Sequence, residues 1–481
     1  MTRPSSSSSK TTAAEVAAGA VPADEVMVSL YQAQKKIYPR SVTGLFAKWR
    51  WFFVYATQIF FYGLPWLQWG GRQAVLFDLD ARRFYIFGLV LYPQDVIYLS
   101  GILIISAMLL FLFTAVAGRQ WCGYACPQTV YTEIYLWIEK KIEGDRSARM
   151  RLDAAPMSVN KFARKALKQF VWIAVGLWTG FTFVGYFTPI QELALHVVQW
   201  TLGPWEIFWI FFYGFATYGN AGYMREQVCK YMCPYARFQS AMFDKDTLVV
   251  TYDAARGEPR GARSRKTDHR AAGLGDCVDC TLCVQVCPTG IDIRKGLQYE
   301  CISCAACIDV CNGVMDKVGY PRGLIRYSTE NALAKGWNGS QILRHVLRPR
   351  VLIYGGILAA LTLALVGSLV LRTPFKVDIV RDRATLARVV DGNKIENVYR
   401  VQIMNATEKP QTYDITATGL TGLQLVTDKR VIVDGAQGLW VPVRLQLPYD
   451  AAPSGSHEIH IEVRSEGGGE VKEKSVFMVP R

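Results

Sequence analysis

The chain has 481 residues, of which 51% are hydrophobic, and it carries a formal net charge of +14. Nucleic-acid-binding proteins cluster their basic residues on a soluble fold, whereas here the basic residues flank long apolar stretches. The composition therefore excludes nucleic acid as the expected partner and indicates a protein of several domains, in contact with membrane lipid.

The N-terminal segment predicts a disordered cytoplasmic tail. The first 28 residues are rich in Ser and Ala, with a serine run at 5–9. They lack the apolar core that a secretory signal requires. We therefore expect a tail over residues 1–48, before the first membrane span.

Five stretches are apolar and long enough to cross a bilayer, which takes about 20 helical residues. A further apolar run at 84–91 is too short to cross and is expected to lie in the membrane interface. The predicted spans are roughly 51–69, 96–117, 170–188, 205–223 and 351–371.

The charges of the connecting segments predict the orientation, because Lys and Arg accumulate on the cytoplasmic side. Residues 118–169 hold ten Lys/Arg and five Asp/Glu, whereas residues 189–204 hold one Glu and no Lys or Arg. We expect a multi-pass protein of the bacterial inner membrane. The N-terminus, the 118–169 segment and a long insert at 224–350 would lie in the cytoplasm, and the C-terminal part in the periplasm.

The second and fourth spans are each followed by the motif Cys-x-Tyr-x-Cys-Pro. The first copy contains Cys122 and Cys126, and the second contains Cys229 and Cys233. Each copy follows a pair of spans, which predicts a duplicated two-helix unit with both copies facing the same way. In a helix, residues four apart share a face, so each motif could present two sulfur atoms together.

Four thiolates from two matching motifs predict a metal or redox site. The spacing leaves three occupants open: a third four-iron cluster, a copper ion or a redox-active dithiol. Buried structural cysteine is the competing interpretation. Met224, Met232 and Met242 lie near the second motif and offer thioether sulfur to monovalent copper, although methionine at a helix end is more often packing. The candidate catalytic and metal-binding residues are Cys122, Cys126, Cys229 and Cys233.

The other eight cysteines form two runs of the pattern Cys-x-x-Cys-x-x-Cys-x-x-x-Cys. Bacterial-type ferredoxins hold two [4Fe-4S] clusters with such a double run, and the fourth cysteine of each run binds the other cluster. Paired zinc sites are the alternative, but zinc usually needs only two Cys-x-x-Cys pairs. The predicted ligands are Cys277, Cys280, Cys283 and Cys311 for one cluster, and Cys301, Cys304, Cys307 and Cys287 for the other. These thiols need a reducing compartment, which agrees with a cytoplasmic insert.

The chain beyond Arg372 has no cysteine and balanced charge, with fourteen basic and fourteen acidic residues. Apolar and polar residues alternate at 398–403, 413–418, 439–445 and 458–463, between breaks rich in Asn, Gly and Pro. This period of two predicts an antiparallel sandwich of immunoglobulin type.

The predicted fold class is therefore a mixed membrane protein. It combines an α-helical bundle of about five spans, a two-cluster ferredoxin insert and a C-terminal immunoglobulin-like β-sandwich. The predicted domains are the tail at 1–48, the duplicated transmembrane units at 49–234, the cytoplasmic insert at 235–348, the fifth transmembrane helix at 349–372 and the periplasmic sandwich at 373–481.

The paired Cys-x-x-x-Cys-Pro motifs, the ferredoxin-type cysteines from Cys277 to Cys311 and the sandwich, in this order, resemble the FixG/CcoG family of cytochrome c oxidase accessory proteins. The resemblance covers nearly the whole chain beyond the tail. It implies a role in assembling the cbb-type haem–copper oxidase, by reducing Cu(II) to Cu(I) before copper reaches oxidase subunits or copper chaperones. It also implies that the four motif cysteines matter for that activity.

The expected function is thus iron–sulfur electron transfer, from a cytoplasmic or quinol donor to the paired motifs, with cupric reduction as the expected enzyme activity. One alternative is a quinol-oxidising subunit that feeds a periplasmic reductase, with Glu192, Glu206 or His196 at its quinone pocket. The other is a non-catalytic assembly scaffold. The sequence leaves the electron donor, the sandwich's partner and homo-oligomer formation open.

Overall fold

The structure is a computed structural model that describes residues 36–264, 268, 270–382 and 387–480. Residues 1–35 of the predicted tail lie outside the described residues. Residues Tyr38–Arg481 form one compact unit. The first helix begins at Leu45, slightly before the predicted end of the tail at residue 48.

Helices form the apolar bundle and part of the insert. In chain order the described α-helices are α1 (Leu45–Gly63), α2 (Val96–Ala117), α3 (Gln120–Tyr124), α4 (Pro127–Glu143), α5 (Arg146–Ala154), α6 (Val159–Val184), α7 (Ile190–Gln199), α8 (Pro204–Thr217), α9 (Pro234–Met242), α10 (Ala254–Gly257), α11 (Leu282–Gln285), α12 (Ala306–Val318), α13 (Glu330–Lys335), α14 (Gly339–Val346) and α15 (Pro349–Val370). Two π-helices lie at Tyr218–Met224 and Val228–Met232, and short 3-10 helices lie at Leu64–Trp66, Pro93–Asp95, Ile293–Lys295 and Tyr449–Ala451.

The described strands pair in antiparallel sheets. In chain order they are β1 (Gln68–Trp69), β2 (Arg72–Gln73), β3 (Val75–Asp78), β4 (Arg83–Ile86), β5 (Leu89–Leu91), β6 (Val249–Tyr252), β7 (Ile325–Ser328), β8 (Phe375–Arg381), β9 (Arg388–Val390), β10 (Lys394–Asn405), β11 (Gln411–Thr418), β12 (Gln424–Leu425), β13 (Arg430–Val433), β14 (Gly438–Pro448), β15 (Gly455–Ser465) and β16 (Glu470–Val479).

Three helices among the described residues have the length and apolar composition needed to cross a membrane. The predicted span 205–223 is helical, in α8 and its π-helical continuation. The predicted span 51–69 is helical only as far as Trp66, in α1 and the 3-10 helix after it, and ends in β1. Neither is among these three. The structure therefore supports a membrane protein, and the count of five spans stays a prediction. The three helical segments are Pro93–Ala117, Val159–Val184 and Pro349–Val370.

The helical bundle contacts the cysteine-rich insert at one end and the C-terminal sandwich at the other. At one end, the amide of Ala47 in α1 donates to Asp309 of the insert (2.7 Å), and the amide of Leu248 donates to the Val116 carbonyl at the end of α2 (3.0 Å). At the other end, Asp95, just before α2, pairs with Lys376 of the sandwich (2.5 Å). Since α2 has 22 residues and rises 1.5 Å per residue, these ends are separated by roughly 33 Å.

Glycines bring α6 and α8 into close contact. A Cβ added to Gly180 of α6 would overlap the Ile210 carbonyl of α8, and one added to Gly176 would lie 2.7 Å from the Gly214 carbonyl oxygen. Small residues four apart commonly allow helices to pack closely in membranes. The spacing of α6 and α8 therefore requires glycine at both positions.

The apolar run at 84–91, predicted to be too short to cross the membrane, belongs to a small sheet. It forms β4 and β5, which pair with β3. Tyr85 and Val90 are buried against Met404 and Ala406 of the sandwich. The location of this run in the membrane interface stays a prediction, and the structure adds that the C-terminal domain covers its apolar surface.

The C-terminal domain confirms the predicted sandwich. One sheet has the order β12-β14-β10-β8, with β9 also on β10, and the other has the order β13-β11-β15-β16. Alternate residues point inwards, as in β10, where Tyr399, Val401 and Ile403 are fully buried between the sheets.

A buried ion network joins α4, α5, α6 and the chain before the second motif. Glu139 of α4 is 2% exposed and pairs with Arg149 of α5 (2.7 Å) and with Arg225 (2.8 Å). Glu143 pairs with Lys168 of α6 (2.9 Å). Burial opposes the charge of Glu139, but Arg225 and Arg149 together hold its pKa below the usual range.

The substitution Glu139→Gln is expected to lower the free energy of unfolding by about 3–5 kcal/mol, because it leaves buried cations without their counter-charge. Since the folded-state pKa is lowered, the stabilisation is present above the unfolded-state value of about 4.3 and is lost as the pH falls through the folded-state pKa. Unfolding of the detergent-solubilised protein across pH measures both effects. Glu330→Gln, at an exposed pair with Lys245 (3.7 Å), is the control and is expected to change little. Equal losses in the two variants would contradict the prediction.

Candidate iron–sulfur and paired-cysteine sites

The two ferredoxin-type cysteine runs share the same local backbone. In each run, both neighbours of the second cysteine lie in the left-handed region, with φ between 50° and 58°. Positive φ is uncommon for residues other than glycine and persists where the surroundings impose it. The two runs are therefore structural repeats that wrap the chain around two equivalent centres. These neighbours are Asp279 and Thr281 in the first run, and Ser303 and Ala305 in the second.

Each predicted ligand set lines one cavity. The insert contains two such cavities, here called the first and second ferredoxin cavities. Each cavity is lined by three cysteines of one run and by the fourth cysteine of the other run. The first is lined by Cys277, Cys280, Cys283 and Cys311, and the second by Cys301, Cys304, Cys307 and Cys287, with Cys283 touching both.

This arrangement fits a four-iron cube. Zinc requires four sulfur atoms about 2.3 Å from one ion, whereas a cube is held by one thiolate per iron around a larger volume. In the part of the chain that the structure describes, no three Cys, His, Asp or Glu side chains converge on a single ion position. The cysteines of each set are instead spread around a cavity, as cluster ligation requires.

Burial shapes the chemistry of these thiols. It raises the pKa of Cys301 and of Cys311 to about 12, and that of Cys283 to about 11. Without a cluster, these three thiols are therefore neutral near pH 7. Because cluster ligands are thiolates, cluster binding releases protons.

The two Cys-x-x-x-Cys-Pro motifs have matching geometry. Cys126 and Cys233 both have extended backbone at the N-cap of the following helix, α4 or α9, and proline is the first helical residue in each. Cys122 lies in α3 and Cys229 lies in the π-helix Val228–Met232. The expectation that both cysteines of a motif share one helix face is wrong, because each helix ends before the second cysteine.

The four motif thiols nevertheless lie together. Burial, with negative charge on the other three motif cysteines acting in the same direction, raises the pKa of Cys229 to about 12. Burial likewise raises the pKa of Cys122 to about 11, with Cys126 and Cys233 contributing in the same direction. The Cys122 sulfur accepts a hydrogen bond from Gln239 of α9 (3.4 Å), the helix that Cys233 caps, and Cys122 and Cys229 pack against the same buried residues around Cys304. The duplicated motifs therefore meet in one paired-cysteine site, formed by Cys122, Cys126, Cys229 and Cys233.

The paired-cysteine site directly adjoins the second ferredoxin cavity. A Cβ added to Gly123, inside the first motif, would lie 2.6 Å from the Ile302 carbonyl oxygen and 2.8 Å from the Cys304 Cα. Cys229 and Cys304 also line a common cavity. Glycine at 123 thus lets the motif backbone touch the backbone of a predicted cluster ligand.

Arg119 is a site residue that sequence reasoning missed. Its side chain is almost fully buried, and its guanidinium donates to the carbonyls of Tyr299, just before Cys301, and Ala236, just after the second motif. It thereby ties α2 and α3 to the insert and to α9. The sequence does contain a signal for this role, because an arginine precedes each of the two motifs: Arg119 before the first and Arg225 before the second.

The residues considered for a quinone pocket lie away from the paired-cysteine site, and two of the methionines considered as copper ligands lie in or after the second motif. His196 of α7 and Glu206 of α8 interact at 3.3 Å (Nδ1–Oε1), and Glu192 lies in the first turn of α7. They occupy the end of α8 opposite to the second motif. Met232 is 55% exposed, and Met242 ends α9.

Family models match three parts of the chain. A 4Fe-4S dicluster domain matches residues 224–330, a 4Fe-4S binding domain matches residues 99–144, and an IG-like fold at the C-terminal of FixG, putative oxidoreductase, matches residues 365–480. Together with the apolar helices and the cysteine-lined cavities, these matches define the class. The protein is a membrane-associated iron–sulfur electron-transfer protein.

Whole-chain relatives define the family. The chain is 39% identical to the nitrogen fixation protein FixG of Rhizobium meliloti (strain 1021), over 89% of this chain and 87% of that protein. It is 37% identical to protein RdxA of Cereibacter sphaeroides, over 89% and 91% of the two chains, and 39% identical to protein RdxB of the same organism, over 82% and 85%. The chain belongs to the FixG family, which confirms the resemblance drawn from its motifs.

Proposed function

We propose that the chain carries electrons from its ferredoxin part to the paired-cysteine site and there reduces Cu(II) to Cu(I), for assembly of a cbb-type cytochrome c oxidase. The observation that carries this proposal is the backbone contact between Gly123 and Cys304. It joins the two cysteine sites without an intervening layer of side chains. An electron leaving the second ferredoxin cavity therefore reaches the motif cysteines over a short path.

The cysteines that line the two ferredoxin cavities are suited to hold two [4Fe-4S] clusters, which supply one-electron transfer. The copper substrate needs one electron per ion, which matches that supply. Cu(I) prefers thiolate, whereas Cu(II) prefers nitrogen and oxygen. Sulfur at Cys122, Cys126, Cys229 and Cys233 therefore favours the reduced ion and increases the driving force.

The resident occupant of the paired-cysteine site is a third cluster, a copper ion or a dithiol. The 4Fe-4S binding-domain match at 99–144 includes Cys122 and Cys126 and supports the third cluster. Iron, sulfide and copper analysis with low-temperature EPR on anaerobic protein separates these occupants, since three clusters hold about twelve iron atoms per chain and two hold about eight.

The proposed orientation places the cysteine end in the cytoplasm and the sandwich in the periplasm of the inner membrane. The excess of Lys and Arg in residues 118–169 supports it. Residues 70–95 have no such excess, with three basic and three acidic residues, and they lie at the same end of the bundle as the sandwich. In this orientation, the sandwich is free to contact an oxidase subunit or a copper chaperone.

Anaerobic stopped-flow mixing tests the activity. Protein reduced with dithionite and freed of excess reductant is mixed with Cu(II), and we expect the visible iron–sulfur absorbance to recover. A Cu(I)-specific chelator should trap one Cu(I) per electron lost. The same protein mixed with a short-chain quinol is the comparison. Reduction by quinol at turnover rates, without Cu(I) formation, would favour the quinol-oxidising alternative.

A further inference from the structure

Arg119 carries a buried positive charge at the junction of the two cysteine sites. It precedes Cys122 of the first motif by three residues, and it is 2% exposed. Its guanidinium donates to the carbonyl of Tyr299, two residues before Cys301, and to the carbonyl of Ala236 in α9. This one side chain therefore contacts segments that belong to both the second ferredoxin cavity and the paired-cysteine site.

Within the part of the chain that the structure describes, no carboxylate forms an ion pair with Arg119. The two acceptors of its guanidinium are backbone carbonyls, which offset only part of the cost of burying a charge. The arginine before the second motif differs, because Arg225 pairs with the buried Glu139 (2.8 Å). A buried charge without a counter-charge is costly, so a negative group beside Arg119 is expected.

The cysteines of both sites can supply that negative group. Burial raises the pKa of Cys122, Cys229 and Cys301, and the positive charge of Arg119 opposes the rise in each of them. Two of these thiols belong to the paired-cysteine site and one to the second ferredoxin cavity. When they bind a metal centre they do so as thiolates, and each thiolate adds one negative charge near Arg119.

The first ferredoxin cavity has a different arrangement of charges. The guanidinium that lines it belongs to Arg294, which pairs with Asp292 (2.8 Å) and with Asp279. Carboxylates thus neutralise the cation at the first cavity, whereas the cation at the junction of the other two sites has carbonyl partners. The two ferredoxin centres therefore differ in the buried charge beside them.

We propose that Arg119 is a positioning residue whose charge raises the reduction potential of the centre in the second ferredoxin cavity. Reduction of a four-iron cluster adds one electron and hence one negative charge. A buried cation stabilises that added charge more strongly than it would in water, because the dielectric constant around it is low. The electron is thereby held at the centre that adjoins the paired-cysteine site. This inference rests on the clusters of the proposed function but not on copper as the acceptor.

Redox titration of the full-length protein, followed by EPR in the absence of copper, tests this role. Arg119→Gln removes the charge, and we expect the equilibrium constant for reduction of the second centre to fall about tenfold, a shift of about 59 mV for one electron. Arg119→Lys keeps the charge and is expected to stay within about threefold of the original protein. The first centre, identified by the change of its signal in Cys280→Ser, should keep its potential in both Arg119 variants.

Arg164→Gln removes an exposed arginine of α6 and controls for the change in total charge, which solvent and salt screen. An unshifted second centre in Arg119→Gln would overturn the proposal, as would equal shifts in Arg119→Gln and Arg119→Lys. If Arg119→Gln does not retain iron, normal iron content and an unshifted potential in Arg119→Lys support the proposal, and a loss of iron or a shift in that variant overturns it. Absence of Cu(I) formation alongside the expected shifts would instead count against copper as the acceptor.

Discussion

Replacing Cys126 or Cys233 with serine is expected to lower the rate of Cu(II) reduction by about a hundredfold or more. Both thiols stand at the N-cap of the helix that follows their motif, and the motif thiols form one site. Serine keeps the size of the side chain but replaces soft sulfur with hard oxygen, which no longer favours Cu(I) or binds iron. Changes to groups that merely orient ligands already cost about 10–100-fold, so loss of a ligand should cost at least as much.

The measurement is Cu(I) formation by the dithionite-reduced protein in a single turnover. Ala125→Ser adds a hydroxyl group beside Cys126 without removing a thiol, and it is expected to retain most of the activity. EPR signals from the ferredoxin part should persist in all three variants. Unchanged copper reduction by folded Cys126→Ser and Cys233→Ser proteins would falsify the terminal-site assignment and favour the scaffold alternative.

Gly123→Ala is expected to slow electron delivery from the ferredoxin part to the paired-cysteine site by about a hundredfold. The added methyl group would lie 2.6–2.9 Å from backbone atoms of Ile302 and Cys304, so the two segments must move apart. Displacements of about 1 Å at a reacting centre can cost this much. The ferredoxin cavities keep all eight cysteines, so the iron content of that part should stay normal.

Gly355→Ala in α15 is the control for this substitution. It makes the same chemical change in a helix, at a position where an added Cβ has no neighbour within 4 Å, and it is expected to have no effect on electron transfer. The readout is the rate at which Cu(II) reoxidises the reduced protein, normalised to iron content. Identical rates in the two glycine variants would show that the contact at Gly123 is not on the electron path.

Local pattern was sufficient for much of the fold. The alternation at 398–403 predicted the inward side chains of β10, because the period of a strand is two regardless of its partners. The apolar stretch at 96–117 predicted α2, since a membrane helix satisfies its own backbone hydrogen bonds. Local pattern did not reveal the packing of the run at 84–91, because its apolar face is covered by residues more than 300 positions away.

Sequence alone determined the chemistry of this protein: the number, order and spacing of its cysteines specify cluster-type ligation, and the ferredoxin sets that spacing predicted are the sets that line the two cavities. Only the tertiary structure decided how the sites are connected. The contact of Gly123 with Cys304, the bridge made by Arg119 and the ion pair of Glu139 with Arg225 each join segments far apart in the chain. Such contacts depend on how helices and loops pack in space, and a periodicity along the sequence carries no record of that packing.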